Sequence, residues 1–98
     1  PKNYVHVVFN NGAHDSVGGQ PTVGLKIDLP AISKAVGYPN AFSVDSKADL
    51  LDCLKAVNMV EGPLFLEIKV KKGNRKDLGR PTTTPIQNKD ALMAFLKI

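Results

Sequence analysis

Two polar segments of the sequence carry residue types that suit a metal ion and an anionic ligand. The first, residues 10–22, reads NNGAHDSVGGQPT and follows a short apolar run. Asparagine side chains and backbone carbonyls are hard oxygen donors that suit Mg²⁺, and glycine-rich backbone lets a phosphate approach closely. The Asn-Gly pair also favours a β-hairpin. A hairpin needs an alternating second strand at once, and residues 13–19 do not supply one.

The second segment, residues 69–80, contains most of the excess positive charge. It has six Lys and Arg residues and a single acid, Asp77, for a charge of +5, whereas the rest of the chain has −1. All six aromatic residues lie outside it. Nucleic-acid binders interleave aromatic and basic residues, so we expect no nucleic-acid partner. A small anionic ligand is the functional interpretation, and a solvated loop is the alternative.

The hydrophobic pattern predicts three strands that position these segments, at residues 4–9, 42–45 and 64–70. The first strand is a nearly continuous apolar run with β-branched residues, which predicts burial on both faces. The third strand begins apolar and then alternates. Its alternation predicts that Leu66 and Ile68 face the core and that Glu67 faces solvent.

Helices are predicted between and after the strands. Asp28 is an expected N-cap with Pro30 in the first turn, Ser46 and Asp49 form a capping-box start, and Asn88 opens the last helix. This order predicts an α/β fold, namely a Rossmann-like parallel sheet flanked by helices. Ligands of such sheets lie beyond the carboxyl ends of the strands, where both polar segments begin.

Composition limits the class of protein. With 98 residues and 43% hydrophobic residues, the chain fits one globular domain rather than a disordered segment. No apolar run reaches the roughly 18 residues of a membrane helix. A single cysteine, Cys53, and the lack of a secretory signal favour the cytoplasm. Because residue 1 is proline, we expect the chain to be a piece of a longer protein.

Residues 4–22, YVHVVFNNGAHDSVGGQPT, resemble the distal half of the thiamine-diphosphate motif, in which a strand ends in Asn-Asn. Together with GNRKDLGRPTTTP at residues 73–85, they are similar to the phosphonopyruvate decarboxylases, a branch of the thiamine-diphosphate-dependent decarboxylases. The sulfopyruvate decarboxylases are the near relatives. The resemblance implies that residues 1–98 are the C-terminal portion of a thiamine-diphosphate-binding domain, truncated at its N-terminal side.

The resemblance also implies roles for individual residues. The Asn11 side-chain oxygen and the Ala13 backbone carbonyl would bind Mg²⁺, and Asn11, Gly12 and Ala13 would contact the cofactor diphosphate. His14 is the candidate for proton transfer. The substrate, an anionic 2-oxo acid, would be bound by residues of both segments, namely Gln20, Arg75 and Arg80.

The implied reaction is the non-oxidative decarboxylation of phosphonopyruvate to phosphonoacetaldehyde and CO₂, a step of phosphonate biosynthesis, in a homo-oligomeric parent enzyme. In the family the third metal ligand is the aspartate of a Gly-Asp-Gly motif, which would precede residue 1. We therefore expect residues 1–98 alone to be inactive. Sulfopyruvate decarboxylase and a noncatalytic anion-binding or assembly module are the alternatives. A Gly-Asp-Gly about 25 residues before Asn10 would favour the enzyme.

Overall fold

A computed structural model describes all 98 residues, Pro1–Ile98, and contains strands and helices in alternation. In chain order the elements are β1 (Val5–Asn10), β2 (Ala13–His14), a 3₁₀ turn (Asp15–Val17), β3 (Gln20–Pro21), α1 (Leu29–Ala35), β4 (Asn40–Val44), α2 (Lys47–Val57), β5 (Leu64–Lys69) and α3 (Pro85–Leu96). None of the three helices combines the length and the apolar character needed to cross a membrane.

The main sheet has three parallel strands in the order β1-β5-β4. Val5 of β1 and Asn40 of β4 both lie opposite Leu64, so the three strands start level and end at one edge. The predicted α/β fold, a parallel sheet flanked by helices, is confirmed. The chain leaves β1 and β5 at the carboxyl edge of this sheet and enters the two polar segments there.

One face of the sheet carries the apolar core. Val44, Leu64 and Leu66 are buried there, and the α2 side chains Leu50, Cys53 and Val57 pack against them. The predicted cap of α2 is confirmed, since the Ser46 hydroxyl accepts a hydrogen bond from the Asp49 backbone N–H at 3.1 Å. Such a cap satisfies one of the free N–H groups at the start of a helix.

The other face carries Phe65, because successive side chains of a strand alternate between faces. His6 and Tyr38 pack edge-on against its ring, with centroids 5.3 and 6.0 Å away. The His6 Nδ1 also lies 3.3 Å from the Tyr38 hydroxyl. Tyr38 follows α1, whose predicted cap is confirmed by a 2.9 Å hydrogen bond from Ala31 N–H to Asp28 Oδ1.

The prediction that the first strand is buried on both faces was wrong. Strand β1 is an edge strand, and its side chains Val7 and Phe9 are 43% and 70% exposed. The apolar run in the sequence therefore does not correspond to two covered faces in this chain. An open apolar edge of this kind is a surface on which another strand can pair.

Two further predictions are corrected. Helix α3 begins at Pro85 rather than Asn88, because Thr84 and Gln87 form a reciprocal capping box with hydrogen bonds of 3.2 and 2.8 Å. Glu67 does not face solvent: it is 2% exposed. Strand β5 lies between two other strands and is covered on both faces, so alternation along it has no solvent side.

Gly62 allows the chain to pass close to the segment that precedes β1, which gives a testable prediction. A Cβ at this buried residue would lie 2.6 Å from the Lys2 carbonyl oxygen and 2.9 Å from that of Tyr4, and both are backbone atoms. We expect Gly62→Ala to lower the free energy of unfolding by about 1–3 kcal/mol, the usual cost of overpacking. Denaturant unfolding followed by circular dichroism measures this.

Gly79 provides the matched control, because no atom lies within 4 Å of the position that its Cβ would occupy. Gly79→Ala should change the free energy of unfolding by less than about 0.5 kcal/mol. Equal stabilities of the two variants would contradict the close packing of Gly62 against the backbone of Lys2 and Tyr4.

Candidate functional site

An open groove of about 720 Å³ lies at the carboxyl edge of the main sheet, between the segments that follow β1 and β5. The two segments that were predicted to bind ligands therefore meet in space. The groove is lined mostly by polar residues, namely Asn11, Ala13, His14, Asp15, Ser16, Val70, Lys71, Gly73, Asn74, Leu78 and Arg80.

The first segment folds into a small hairpin, which the sequence argument had not expected. Strands β2 and β3 pair antiparallel, with Ala13 opposite Pro21 and His14 opposite Gln20. Each strand has only two residues, too few to show alternation in the sequence. The hairpin turns back on itself through Gly18 and Gly19, whose φ angles of +99° and +72° favour glycine.

Asn11 lines the groove, and both the oxygen and the nitrogen of its side-chain amide form hydrogen bonds. Its Oδ1 accepts a 3.0 Å hydrogen bond from Ala13 N–H, and its Nδ2 donates a 2.8 Å hydrogen bond to Asp15 Oδ2. These two bonds define which end of the amide is oxygen. A carbonyl oxygen has two lone pairs, so Oδ1 retains one with which to bind a cation.

Ala13, the second predicted ligand, lies two residues further along the same wall of the groove. Thr22 N–H donates to the Gly12 carbonyl at 2.8 Å, so Ala13 and the residue opposite it, Pro21, form a non-hydrogen-bonded pair of the hairpin. The Ala13 carbonyl therefore receives no hydrogen bond from its hairpin partner. A side-chain amide oxygen and a backbone carbonyl from adjacent positions are ligands that Mg²⁺ accepts.

Asp15 connects the two segments, and the sequence argument missed it. Its Oδ2 accepts hydrogen bonds from Asn11 Nδ2 at 2.8 Å and from Gly73 N–H at 2.9 Å. A second link runs from Lys72 Nζ to the Gly19 carbonyl at 3.1 Å. Asp15 and Gly73 are 58 residues apart, so only the folded chain reveals their contact.

The remaining predicted site residues divide into two groups. His14 and Arg80 line the groove together with Asn11 and Ala13. Gly12, Gln20 and Arg75 do not line it. Gly12 shapes the turn, since its φ is +66° and its carbonyl accepts a 2.8 Å hydrogen bond from Thr22 N–H.

The two arginines of the basic segment differ in their surroundings. The Nε of Arg75 lies 3.5 Å from Asp77 Oδ1, with both side chains more than 70% exposed. Arg80 belongs to the groove wall, as does Lys71. Lys71 and Arg80 bring two positive charges to the groove against the one negative charge of Asp15, which favours an anionic ligand.

The groove offers oxygen atoms of the kind that Mg²⁺ binds. The chain offers hard oxygen atoms at Asn11 and Ala13, with the Asp15 carboxyl beside them. Nowhere in the structure do three or more His, Cys, Asp or Glu side chains come together so that they could hold one metal ion. Mg²⁺ commonly keeps few protein ligands and completes its shell with phosphate oxygens and water, so the donor set fits a metal–diphosphate group.

Cys53 lies outside the groove and packs against the apolar core. Burial raises the pKa of its thiol above the ordinary value. The thiolate is the reactive form of cysteine, so this environment disfavours a nucleophilic role. Cys53 thus contributes to packing.

Comparison with known proteins relates the chain to decarboxylases. A phosphonopyruvate decarboxylase of Streptomyces viridochromogenes is 38% identical over 96 residues, which are 98% of this chain and 24% of that protein. A phosphonopyruvate decarboxylase of Streptomyces hygroscopicus is 38% identical over 87% of this chain and 21% of its own length. A sulfopyruvate decarboxylase of Methanosarcina acetivorans is 32% identical over 76% of this chain and 19% of its length.

The chain thus spans about a quarter or less of the length of the curated relatives it matches. No protein-family model matches it. No solved structure matches it either.

Proposed function

Because the chain is homologous to a segment of the phosphonopyruvate decarboxylases, we propose that it forms the C-terminal part of the cofactor-binding domain of such an enzyme. The complete protein would convert phosphonopyruvate to phosphonoacetaldehyde and CO₂ with thiamine diphosphate and Mg²⁺. The observation that carries this proposal is the groove in which Asn11 and Ala13 lie together with Arg80. Metal-binding oxygens and a cation for the substrate line one cavity, at the edge of the sheet where ligands are expected.

In this proposal Asn11 and Ala13 would hold the Mg²⁺ that accompanies the cofactor diphosphate, and Gly12 would let the backbone approach the diphosphate. Their oxygens are neutral, so the negative charges around the ion come from the diphosphate and from an aspartate elsewhere in the parent. When bound, thiamine diphosphate supplies a thiazolium ring that takes up the electron pair released with CO₂.

Arg80 is the proposed partner of the substrate phosphonate. A guanidinium has a planar fork of N–H donors and binds a tetrahedral anion through two parallel hydrogen bonds. Gln20, at the hairpin next to the groove, would contribute a neutral hydrogen bond. His14 lines the same groove and would supply or remove a proton at the reacting carbon, since a histidine donates a proton as the imidazolium and accepts one as the neutral imidazole.

Sulfopyruvate is the second candidate substrate, which the similarity to the Methanosarcina acetivorans protein supports. Phosphonate and sulfonate are both tetrahedral anions and differ chiefly in charge, so the groove residues do not separate them. The greater positive charge of the basic segment, +5 over residues 69–80, suits the more highly charged phosphonate.

Turnover by the complete protein tests the proposal. We expect CO₂ release from phosphonopyruvate that requires both thiamine diphosphate and Mg²⁺. The kcat/KM should be at least about tenfold higher than for sulfopyruvate, a difference that corresponds to about 1.4 kcal/mol. A higher kcat/KM for sulfopyruvate would identify sulfopyruvate, and not phosphonopyruvate, as the substrate of the enzyme. No release from either 2-oxo acid would favour a noncatalytic binding module.

We further propose that the parent enzyme is a cytoplasmic homo-oligomer. The support is the C-terminal region, where Ile86 and Phe95 on helix α3 and Ile98 just after it are 68%, 81% and 77% exposed. Exposed apolar area of this kind requires cover from another part of the parent enzyme or from a second subunit.

A further inference from the structure

The buried carboxyl of Glu67 is the strongest polar feature of the chain that the proposed function does not use. Glu67 is 2% exposed and lies near the end of the central strand β5. Its Oε1 accepts a 2.6 Å hydrogen bond from Asn10 Nδ2, and its Oε2 accepts one of 2.6 Å from the Ser43 hydroxyl. Burying a carboxyl costs free energy unless each oxygen is hydrogen-bonded, as both are here.

The register of the sheet places Glu67 where it can reach Asn10. In the parallel pairing of β1 with β5, Val8 lies opposite Glu67 and Asn10 lies opposite Lys69. Glu67 and Asn10 are therefore diagonal neighbours on the same face, a distance that a long side chain can span. Asn10 is itself buried, so its amide has little access to water as a substitute partner.

The same Asn10 amide also hydrogen-bonds the turn that is proposed to bind the metal. Its Nδ2 also donates to the Gly24 carbonyl at 2.8 Å, and its Oδ1 accepts a 3.0 Å hydrogen bond from Gly12 N–H. Gly12 lies between the two predicted metal ligands, Asn11 and Ala13. The position of the Gly12 peptide therefore affects both ligands at once.

Three hydrogen bonds, one of them to the Glu67 carboxyl, determine which way the Asn10 amide points. If the amide were flipped, its Oδ1 would face Glu67 Oε1 and the Gly24 carbonyl, which are acceptors, and its Nδ2 would face the Gly12 donor. All three hydrogen bonds would be lost together. Such a flip is strongly disfavoured in a buried site, because unpaired polar groups that water cannot reach are costly.

We propose that Glu67 is a positioning residue for the Mg²⁺ site. Through the Asn10 amide it holds the Gly12 turn so that the Asn11 side-chain oxygen and the Ala13 carbonyl face the same ion. The inference rests on the proposed function, because it assumes that these two oxygens bind the metal. Groups that orient metal ligands commonly change metal affinity 10–100-fold when they are removed.

The test is the Mg²⁺-dependent affinity of the complete enzyme for thiamine diphosphate, measured by calorimetric titration. We expect Glu67→Ala to weaken it about 10-fold or more. Glu67→Gln should stay within about threefold of wild type, because its amide oxygen still accepts from Asn10 while its NH₂ donates to Ser43 Oγ. Hydrogen exchange of the peptide spanning residues 10–13 should accelerate in Glu67→Ala and not in Glu67→Gln.

Ser43→Ala is the matched control, since it removes the other hydrogen bond to Glu67 and leaves Asn10 in place. It should lower thermal stability slightly without changing the affinity for the cofactor. If Glu67→Ala and Ser43→Ala lower stability alike and both keep wild-type affinity, Glu67 is only a structural residue and the inference is overturned.

If Glu67→Ala does not fold, Asn10→Ser tests the role of the contact between Glu67 and Asn10. A serine hydroxyl can still accept from Gly12 N–H in a local turn but cannot reach Glu67. We expect it to weaken cofactor binding about threefold or more, and an unchanged affinity would overturn the inference. Asn11→Ala, measured in parallel, separates the two claims: if it leaves affinity unchanged, the proposed metal site itself fails, whereas loss in Asn11→Ala alone rejects only the role of Glu67.

Discussion

Asn11→Ala in the complete enzyme should weaken the Mg²⁺-dependent binding of thiamine diphosphate by at least about 100-fold, the upper end of what loss of an orienting neighbour costs. The variant removes a hard oxygen ligand from a small ion that tolerates few departures from octahedral geometry. It also removes both hydrogen bonds that arrange the turn, from Ala13 N–H and to Asp15 Oδ2. Calorimetric titration with and without Mg²⁺ measures the change.

Asn58→Ala is the control for this substitution. Asn58 is an exposed asparagine just after α2, and it lies outside the groove. Its replacement should leave the affinity for the cofactor within about twofold of wild type, as expected for a surface substitution. Equal affinities of Asn11→Ala and Asn58→Ala would remove Asn11 from the metal site.

Arg80→Ala should raise the KM for phosphonopyruvate about 10–150-fold, which corresponds to the roughly 1.5–3 kcal/mol of a charge-assisted hydrogen bond. Arg80 lines the groove beside Asn11 and His14, where it can meet the anionic end of the substrate. The affinity for thiamine diphosphate should change much less. Steady-state kinetics with varied substrate, at saturating cofactor and Mg²⁺, separate the two effects.

Arg75→Ala serves as the matched control, because it removes the same charge from the same segment. Arg75 lies outside the groove, exposed and beside Asp77. Exposed ion pairs contribute little, so its KM should stay within about threefold of wild type. If both variants raise KM equally, the effect comes from the general positive charge of the segment and not from a specific contact with Arg80.

The sequence predicted the local features of the fold well, because they depend on neighbouring residues. The starts of α1 and α2 follow from Asp28 and Ser46, whose side chains accept hydrogen bonds three residues ahead. The start of α3 was predicted three residues late. The sequence offers two residues that can cap a helix here, and the structure uses Thr84 rather than Asn88.

The features that the sequence missed depend on contacts between distant residues. Alternation along β5 predicted Glu67 to face solvent, but its surroundings come from β1 and β4, which supply Asn10 and Ser43 as donors. Nothing near Glu67 in the sequence reveals those donors. A polar residue within an otherwise apolar strand was the only available signal, and it is compatible with either face.

In the candidate site, too, the sequence predicted the local features and missed those that depend on distant residues. The Asn-Asn turn pointed to Asn11 and Ala13, which indeed lie side by side in the groove. The sequence did not distinguish Arg75 from Arg80, because the path of a loop decides which of two nearby arginines faces a cavity. It also did not identify Asp15, whose bond to Gly73 N–H joins the two segments.

The position of the metal ion tests the central claim most directly. Mn²⁺ can replace Mg²⁺ and is located by its anomalous scattering in crystals of the complete enzyme with thiamine diphosphate. We predict one ion at about 2.0–2.3 Å from both Asn11 Oδ1 and the Ala13 carbonyl oxygen, in contact with the cofactor diphosphate. An ion bound to the diphosphate without either of these oxygens would contradict the proposed site.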